Sequence, residues 1–193
     1  MSDRIRALVA LGNPGADHAR DRHNAGFWLA DRLAQRWGVS FSHEKKFKGD
    51  LARAGRGDDT LWLLKPTTFM NASGQAIQPL VAFHKIQPSE VLIVHDELDL
   101  PAGTARLKDG GGHGGHNGLR DAHRVLGSGY RRLRVGIGHP GHASQVLSYV
   151  LGTPSPDDQI AIDTAIDAGA DAVETILDQG WNRGAQQLNS RKP

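Results

Sequence analysis

Short apolar runs, each stopped by glycine, asparagine or acidic residues and separated by stretches with helical spacing, are the feature that most restricts the fold open to this chain. Strand-like runs fall at Ile5 to Leu11, Leu61 to Leu64, Val91 to Val94 and Leu133 to Ile137, with weaker ones at Leu51 to Ala54 and Thr104 to Lys108. Several are unbroken, as in strands buried on both faces. Between them, Ala25, Trp28, Leu29, Leu33 and Trp37 form one helical stripe ending at Gly38, a residue suited to a left-handed cap. A second helix is expected over Ser73 to His84, with Pro79 inside it expected to kink or break it. Ile162, Ile166, Ala170, Val173 and Leu177 give a third helix its apolar face, beside an acidic face read as solvated. Alternating strands and helices predict a single α/β domain over residues 1–193, with a twisted, mixed but largely parallel sheet and helices on both sides.

The absence of cysteine removes disulfides, thiolate metal sites and a cysteine nucleophile. The first apolar run is too short for a signal segment or a membrane span, so a cytoplasmic protein without membrane contact is expected. Charge is unevenly placed. Between Thr104 and His139, seven basic residues, among them Arg106, Lys108, Arg131, Arg132 and Arg134, stand against Asp109 and Asp121, a local net of +5 suited to phosphate. Thr153 to Gly180 carries seven acids and no Lys or Arg, and should face away from a polyanion.

The segments able to carry chemistry lie beside these elements. Gly12-Asn13-Pro14-Gly15 is turn-forming by composition, yet it leaves the first strand at the end where open α/β sheets bind ligands, and Asn13 would offer a donor and an acceptor there. His23, at the mouth of the first helix, is a candidate base if a partner reaches it. Asp96, where an apolar strand runs into acids, is one candidate: a carboxylate can hold an imidazole in one tautomer and stabilise its charged form. Gly110 to Gly118, with His113, His116 and Asn117, would let backbone N–H groups approach an anion ahead of a helix. It lacks the Gly-Lys-Ser/Thr ending of a nucleoside triphosphate loop. A metal hydrolase using His95, Asp96, His113 and His116 has the spacing against it, so neither a metal nor another cofactor is expected.

Six blocks then carry a family resemblance: Gly-Asn-Pro-Gly at 12 to 15, Arg-His-Asn-Ala-Gly at 22 to 26, Pro-Thr-Thr-Phe-Met-Asn at 66 to 71, His-Asp-Glu-Leu-Asp at 95 to 99, the glycine-rich string at 110 to 118 and Gly-Ile-Gly-His-Pro at 136 to 140. Together they resemble the bacterial peptidyl-tRNA hydrolases. The resemblance implies metal-free hydrolysis of the ester joining a peptide to the 3′ end of tRNA, by a cytoplasmic monomer that returns tRNA to translation and rescues ribosomes. His23 matches the general base and Asp96 its support. Asn13, Asn71 and Asn117 match asparagines that bind the peptide and the tRNA 3′ end, Met70 matches a residue packed near the site, and His116 and His18 fall with the substrate-binding group. Lys108 and Arg134 match a basic pair that grips the tRNA 5′ phosphate, and Arg106 joins them by charge. The sequence departs from the family pattern at His18, where relatives carry tyrosine, and at Asp21, where they carry threonine. An altered pH profile with activity retained is the expected result. The rival readings are a relative that binds RNA or a protein without hydrolysis, and a metal-dependent esterase.

Overall fold

The structure, a computed structural model, describes residues 4–55 and 59–193. Seven strands form one sheet: β1 (Ala7–Ala10), β2 (Ser42–Glu44), β3 (Gly49–Ala54), β4 (Leu61–Pro66), β5 (Val91–Glu97), β6 (Ala105–Asp109) and β7 (Arg131–Gly136). Their order is β2-β3-β4-β1-β5-β7-β6. The four inner strands, β4, β1, β5 and β7, run parallel, and β3 and β6 flank them antiparallel, with β2 beyond β3. This is the mixed, largely parallel sheet expected from the alternation of patterns.

Side chains on successive residues point to opposite faces, and two apolar layers result. Leu8, Ala10, Leu92, Val94, Leu133 and Val135 pack with α1 (Ala25–Trp37), α5 (Pro156–Gln179) and α6 (Trp181–Asn189). Ala7, Val9, Leu11, Val91 and Ile93 pack with α2 (Gly74–His84) and α3 (Asn117–Leu126). The short α4 (Val146–Val150) follows β7 and borders the C-terminal ends of the strands. Among the described residues, no helix is long and apolar enough to cross a membrane.

Four local expectations need correction. β5 does not stop at Val94: parallel pairing of His95 with Arg134 and Asp96 with Val135 carries the acidic segment into the strand itself. α2 runs unbroken through Pro79, whose missing N–H affects the carbonyl of Gln75, an exposed residue open to water. Leu177 is 43% exposed and Ile176 takes its place inside, because α6 folds back with Gly184 against Ile176. The acidic face of α5 is not simply solvated. Arg36 Nη1 of α1 donates at 2.7 Å to both Asp171 and Glu174, and Arg32 bonds Asp167. β2, α4 and α6 were not anticipated.

One close approach sets the position of the α1 entrance. A Cβ on Gly26 would lie 2.5 Å from the Val94 carbonyl oxygen and 2.8 Å from that of Leu11. Only glycine lets α1 rest directly on the ends of β1 and β5, and His23 enters the same region just before it. Gly26→Ala must push backbone against backbone, so it should destabilise the protein by about 1–3 kcal/mol, measurable as a lower urea midpoint. An unchanged midpoint would mean that the contact can relax freely.

Candidate active site

At the C-terminal ends of β1 and β5, three elements converge on one carboxylate. Asp96, at the end of β5, is 3% exposed. His23, from the turn before α1, places Nδ1 2.8 Å from Asp96 Oδ2, and His116, just before α3, places Nε2 2.8 Å from Asp96 Oδ1. The two imidazoles lie 5.0 Å apart between ring centres.

The hydrogen-bond pattern assigns the protons. Nδ1 of His116 accepts from the backbone N–H groups of Gly118 and Leu119, at 3.1 and 3.2 Å, and so caps α3. That nitrogen carries no proton, so Nε2 does and donates to Asp96. The second Asp96 oxygen accepts from His23 Nδ1–H, which leaves His23 Nε2 as the basic nitrogen of a residue lining the cleft. Burial by itself would raise the Asp96 carboxyl, but His23 and His116 outweigh it and hold the group below the usual carboxylate range. Burial likewise pulls His23 down, while the charge and hydrogen bond of Asp96, with a further contribution from Asp21, leave it raised on balance. His95 donates Nδ1–H to the Asp96 carbonyl, and its Nε2 has no partner among the described residues. Burial, then the neighbouring His116, bring it down to about 3.

A cleft of about 720 Å³ opens from this centre. His23, Asp96, His116, Asn117, Lys108 and Arg134 all line it. Asn13, Asn71, Met70, His18 and Arg106 do not. Asn13 borders a smaller cavity of about 260 Å³. Its side-chain oxygen accepts from Met70 N–H at 2.7 Å, which fixes the amide and occupies one of the two lone pairs of that oxygen. Met70 is buried against Gly118, whereas Asn71, next to it, is exposed. His18 bonds Asp21 through Nδ1 at 2.7 Å and meets the Phe69 ring edge-on.

The structure sorts the basic stretch by strand alternation. Lys108 stands opposite Arg132 in the β6–β7 pairing, and Arg106 opposite Arg134, so all four share one sheet face. Arg131 points the other way, where it stacks on Trp181 and faces Asp109. Arg134 is partly neutralised by Glu97, 2.8 Å away. Arg132 donates to the carbonyls of Gly110 and Gly112 and holds the glycine-rich segment. In that segment the helix N–H groups of Gly118 and Leu119 are taken by His116. Asn24 was missed by sequence reasoning although it sits inside the Arg-His-Asn-Ala-Gly block. Its amide exchanges two hydrogen bonds with the Asn13 backbone and ties the two loops together.

Among the described residues, His95, Asp96, His113 and His116, weighed and set aside as metal ligands from their spacing, do not form a ligand group together. Instead, donor atoms of His23, Asp96 and His116 lie within 4.8 Å of one another. His116 could ligate a cation through Nε2 only by moving its proton to Nδ1, where two N–H groups already point.

Comparisons with known proteins agree over the whole length. The family model for peptidyl-tRNA hydrolase matches residues 7–193. A peptidyl-tRNA hydrolase of Neisseria gonorrhoeae is 50% identical over 192 residues, covering 99% of this chain and all of the relative. One from Haemophilus influenzae is 52% identical over 190 residues, covering 97% and 98%. The crystal structure of peptidyl-tRNA hydrolase from Acinetobacter baumannii superposes with a TM-score of 0.95 at 44% identity, covering 100% of this chain and 98% of the other.

The buried His95 predicts a pH dependence of stability. Its folded-state value, about 3, lies below the roughly 6.5 of an unfolded histidine. Between these values the unfolded chain binds the extra proton, so this contribution is complete above about pH 6.5 and is lost as pH falls toward 3. Urea midpoints at pH 7, 5 and 4 should decline, and more shallowly in His95→Asn, whose amide can still donate to the Asp96 carbonyl. Equal slopes would assign the acid sensitivity elsewhere.

Proposed function

This chain belongs to the peptidyl-tRNA hydrolase family, and we propose that it cleaves the ester between a peptide and the 3′-terminal ribose of tRNA without a metal, using His23 as general base. The carrying observation is that Asp96 accepts from two imidazoles at once, leaving one ring nitrogen of His23 unprotonated at the cleft. His23 Nε2 takes a proton from water as the oxygen attacks the ester carbonyl carbon. The imidazolium formed is stabilised by the buried Asp96 carboxylate. Collapse of the tetrahedral intermediate expels the ribose oxygen, which recovers the proton from His23, and the peptide leaves as a carboxylic acid that loses its remaining proton to solvent. Asn117 lines the same cleft, and its amide would donate to the oxyanion. Asn13, which accepts from Met70 N–H, and Asn71, the residue after Met70, would offer amides to a peptide backbone without reading its side chains. The two N–H groups aimed at His116 support the metal-free reading.

Lys108 and Arg134 would hold the 5′ phosphate of the tRNA, with Arg106 adding to the field on the same sheet face. A phosphate contact apart from the ester explains preference for a peptide on tRNA over a free ester, and makes affinity fall with salt. In this reading the protein acts as a monomer in the cytoplasm and returns tRNA to translation.

Release of N-acetylated amino acid from tRNA in excess chelator tests the assignment. The natural chain should turn over, and His23→Ala should lose activity. Asp96→Asn should lower kcat by roughly 10²- to 10⁴-fold, because an asparagine N–H at that place forces the His23 proton onto Nε2. Turnover abolished by chelator would favour the metal-dependent alternative, and tRNA binding without turnover the non-hydrolytic one. His18→Tyr leaves the Asp21 carboxylate without its imidazole partner, so its pull on His23 strengthens. The acidic limb of the pH–rate curve should move to higher pH with activity kept, and superimposable curves would reject a role for His18.

A further inference from the structure

At the sheet edge opposite β6 and β7, the end of α2, the 45–47 turn and β3 form a cationic surface around an exposed ring. Phe83 is 61% exposed, with Lys46 Nζ 3.8 Å from its ring centre. His84 stacks on Trp62 at 4.4 Å, and the Arg53 guanidinium lies 5.6 Å from the same indole. Lys85 follows at the helix end, and Lys48 reaches along α2 toward Gln75. Among the described residues, Lys46, Lys48, Lys85 and Arg53 have no carboxylate in ion-pair contact. On α5, by contrast, Asp167, Asp171 and Glu174 are answered by two arginines.

The backbone adds a second observation. Lys48 (φ 48°) and Lys85 (φ 54°) are the only non-glycine residues with positive φ among those described. Lys85 ends α2 in the left-handed conformation that Gly38 adopts at the end of α1. Glycine would incur no steric cost at either place, yet both carry a lysine on this surface. Arg6 fixes the geometry by donating to the carbonyls of His84 and Lys85 at 3.1 and 2.9 Å. His84 is lowered by burial and then by Lys46, Arg6 and Arg53, as expected where positive charges crowd.

We propose that this surface is a second RNA-binding site, in which Lys46, Lys48, Lys85 and Arg53 contact backbone phosphates and Phe83 stacks an unpaired base. Exposed aromatic rings among unpaired cations are the combination that binds single-stranded nucleic acid. An acidic protein would use the cations and leave the ring without a role. The site is separate from the phosphate contact at Lys108 and Arg134. Five strand spacings of about 4.8 Å divide β3 from β6, roughly 24 Å, with α2 and α3 covering the sheet face between. The proposal goes beyond the hydrolase reading and does not depend on it.

The strained lysines give a variant that removes charge without unfolding the protein. Lys48→Gly/Lys85→Gly should melt no lower than its parent and hydrolyse an N-acetylaminoacyl minihelix, limited to the acceptor stem, with unchanged kcat/KM. Binding of a labelled oligouridylate is measured in the Lys108→Ala/Arg134→Ala background, so that the clamp contributes little. There the glycine pair should weaken binding about tenfold and reduce the slope of log affinity against log salt by about 1.4, near 0.7 for each phosphate no longer neutralised. Phe83→Leu, which keeps the charge, should weaken oligouridylate binding about fivefold or more and leave polyglutamate binding unchanged. Oligouridylate affinity unaltered by these changes would overturn the proposal, as would a loss of polyglutamate binding in Phe83→Leu parallel to that of RNA. Failure of the parent to hydrolyse the minihelix would instead count against the hydrolase reading and leave this one standing.

Discussion

A carboxylate almost wholly removed from water must be given hydrogen bonds or it will not stay charged. Asp96 receives one from each of two imidazoles, and much of the surrounding architecture can be read as what delivers them. β5 carries Asp96 to the sheet's C-terminal edge. Gly26 lets α1 close on the ends of β1 and β5, which brings His23 within reach. The glycine-rich segment, held by Arg132, turns the chain so that His116 arrives from the opposite side. Losing either imidazole would leave a buried oxygen of Asp96 without a donor, so the local fold and the chemistry share one requirement.

Charge is distributed by the same geometric logic. Alternation along β7 sends Arg131 to the helical face, where Trp181 covers it, and sends Arg132 and Arg134 to the other, beside Lys108 and Arg106. A stretch that carries +5 in sequence is therefore weaker as a phosphate site than its count implies, since Glu97 offsets Arg134 and Arg132 is spent on backbone carbonyls. The acids of α5 are answered from α1 by Arg32 and Arg36 across the helix interface. By contrast, Lys46, Lys48, Lys85 and Arg53 have no carboxylate partner among the described residues, and residues 46 to 48 come beside residue 85 only because α2 packs against the 45–47 turn.

The inner strands and α1, α2 and α5 were legible because each buries a long periodic stripe. β2 was not, since its three residues are polar or half-exposed and gain order only by pairing with β3. α6 was hidden for a similar reason: only Trp181, Gly184 and Leu188 are buried, too few to declare a period in nine residues. In the site, His23, Asp96, His116 and Asn117 could be picked out as candidates from their motifs, and their convergence on one cleft could not. The engagement of the Asn13 oxygen by Met70 N–H is likewise a contact between distant loops that no local pattern announces. Asn24 stood in view inside a motif and was passed over beside the more reactive His23.

His116 explains why a glycine-rich segment ahead of a helix need not be an anion site. The first N–H groups of α3 would attract an anion if free, but they point at an imidazole nitrogen. Their partial positive charge is passed through the ring to Asp96 as a hydrogen bond from Nε2, and it favours the ionised carboxylate. Because His116 is held as the Nε2–H tautomer, it donates to Asp96 and keeps no free ring nitrogen, whereas His23 keeps Nε2 free of Asp96. The two histidines, chemically identical in sequence, are thus given different work by what touches the far side of each ring: helix N–H groups for His116, and the open cleft for His23.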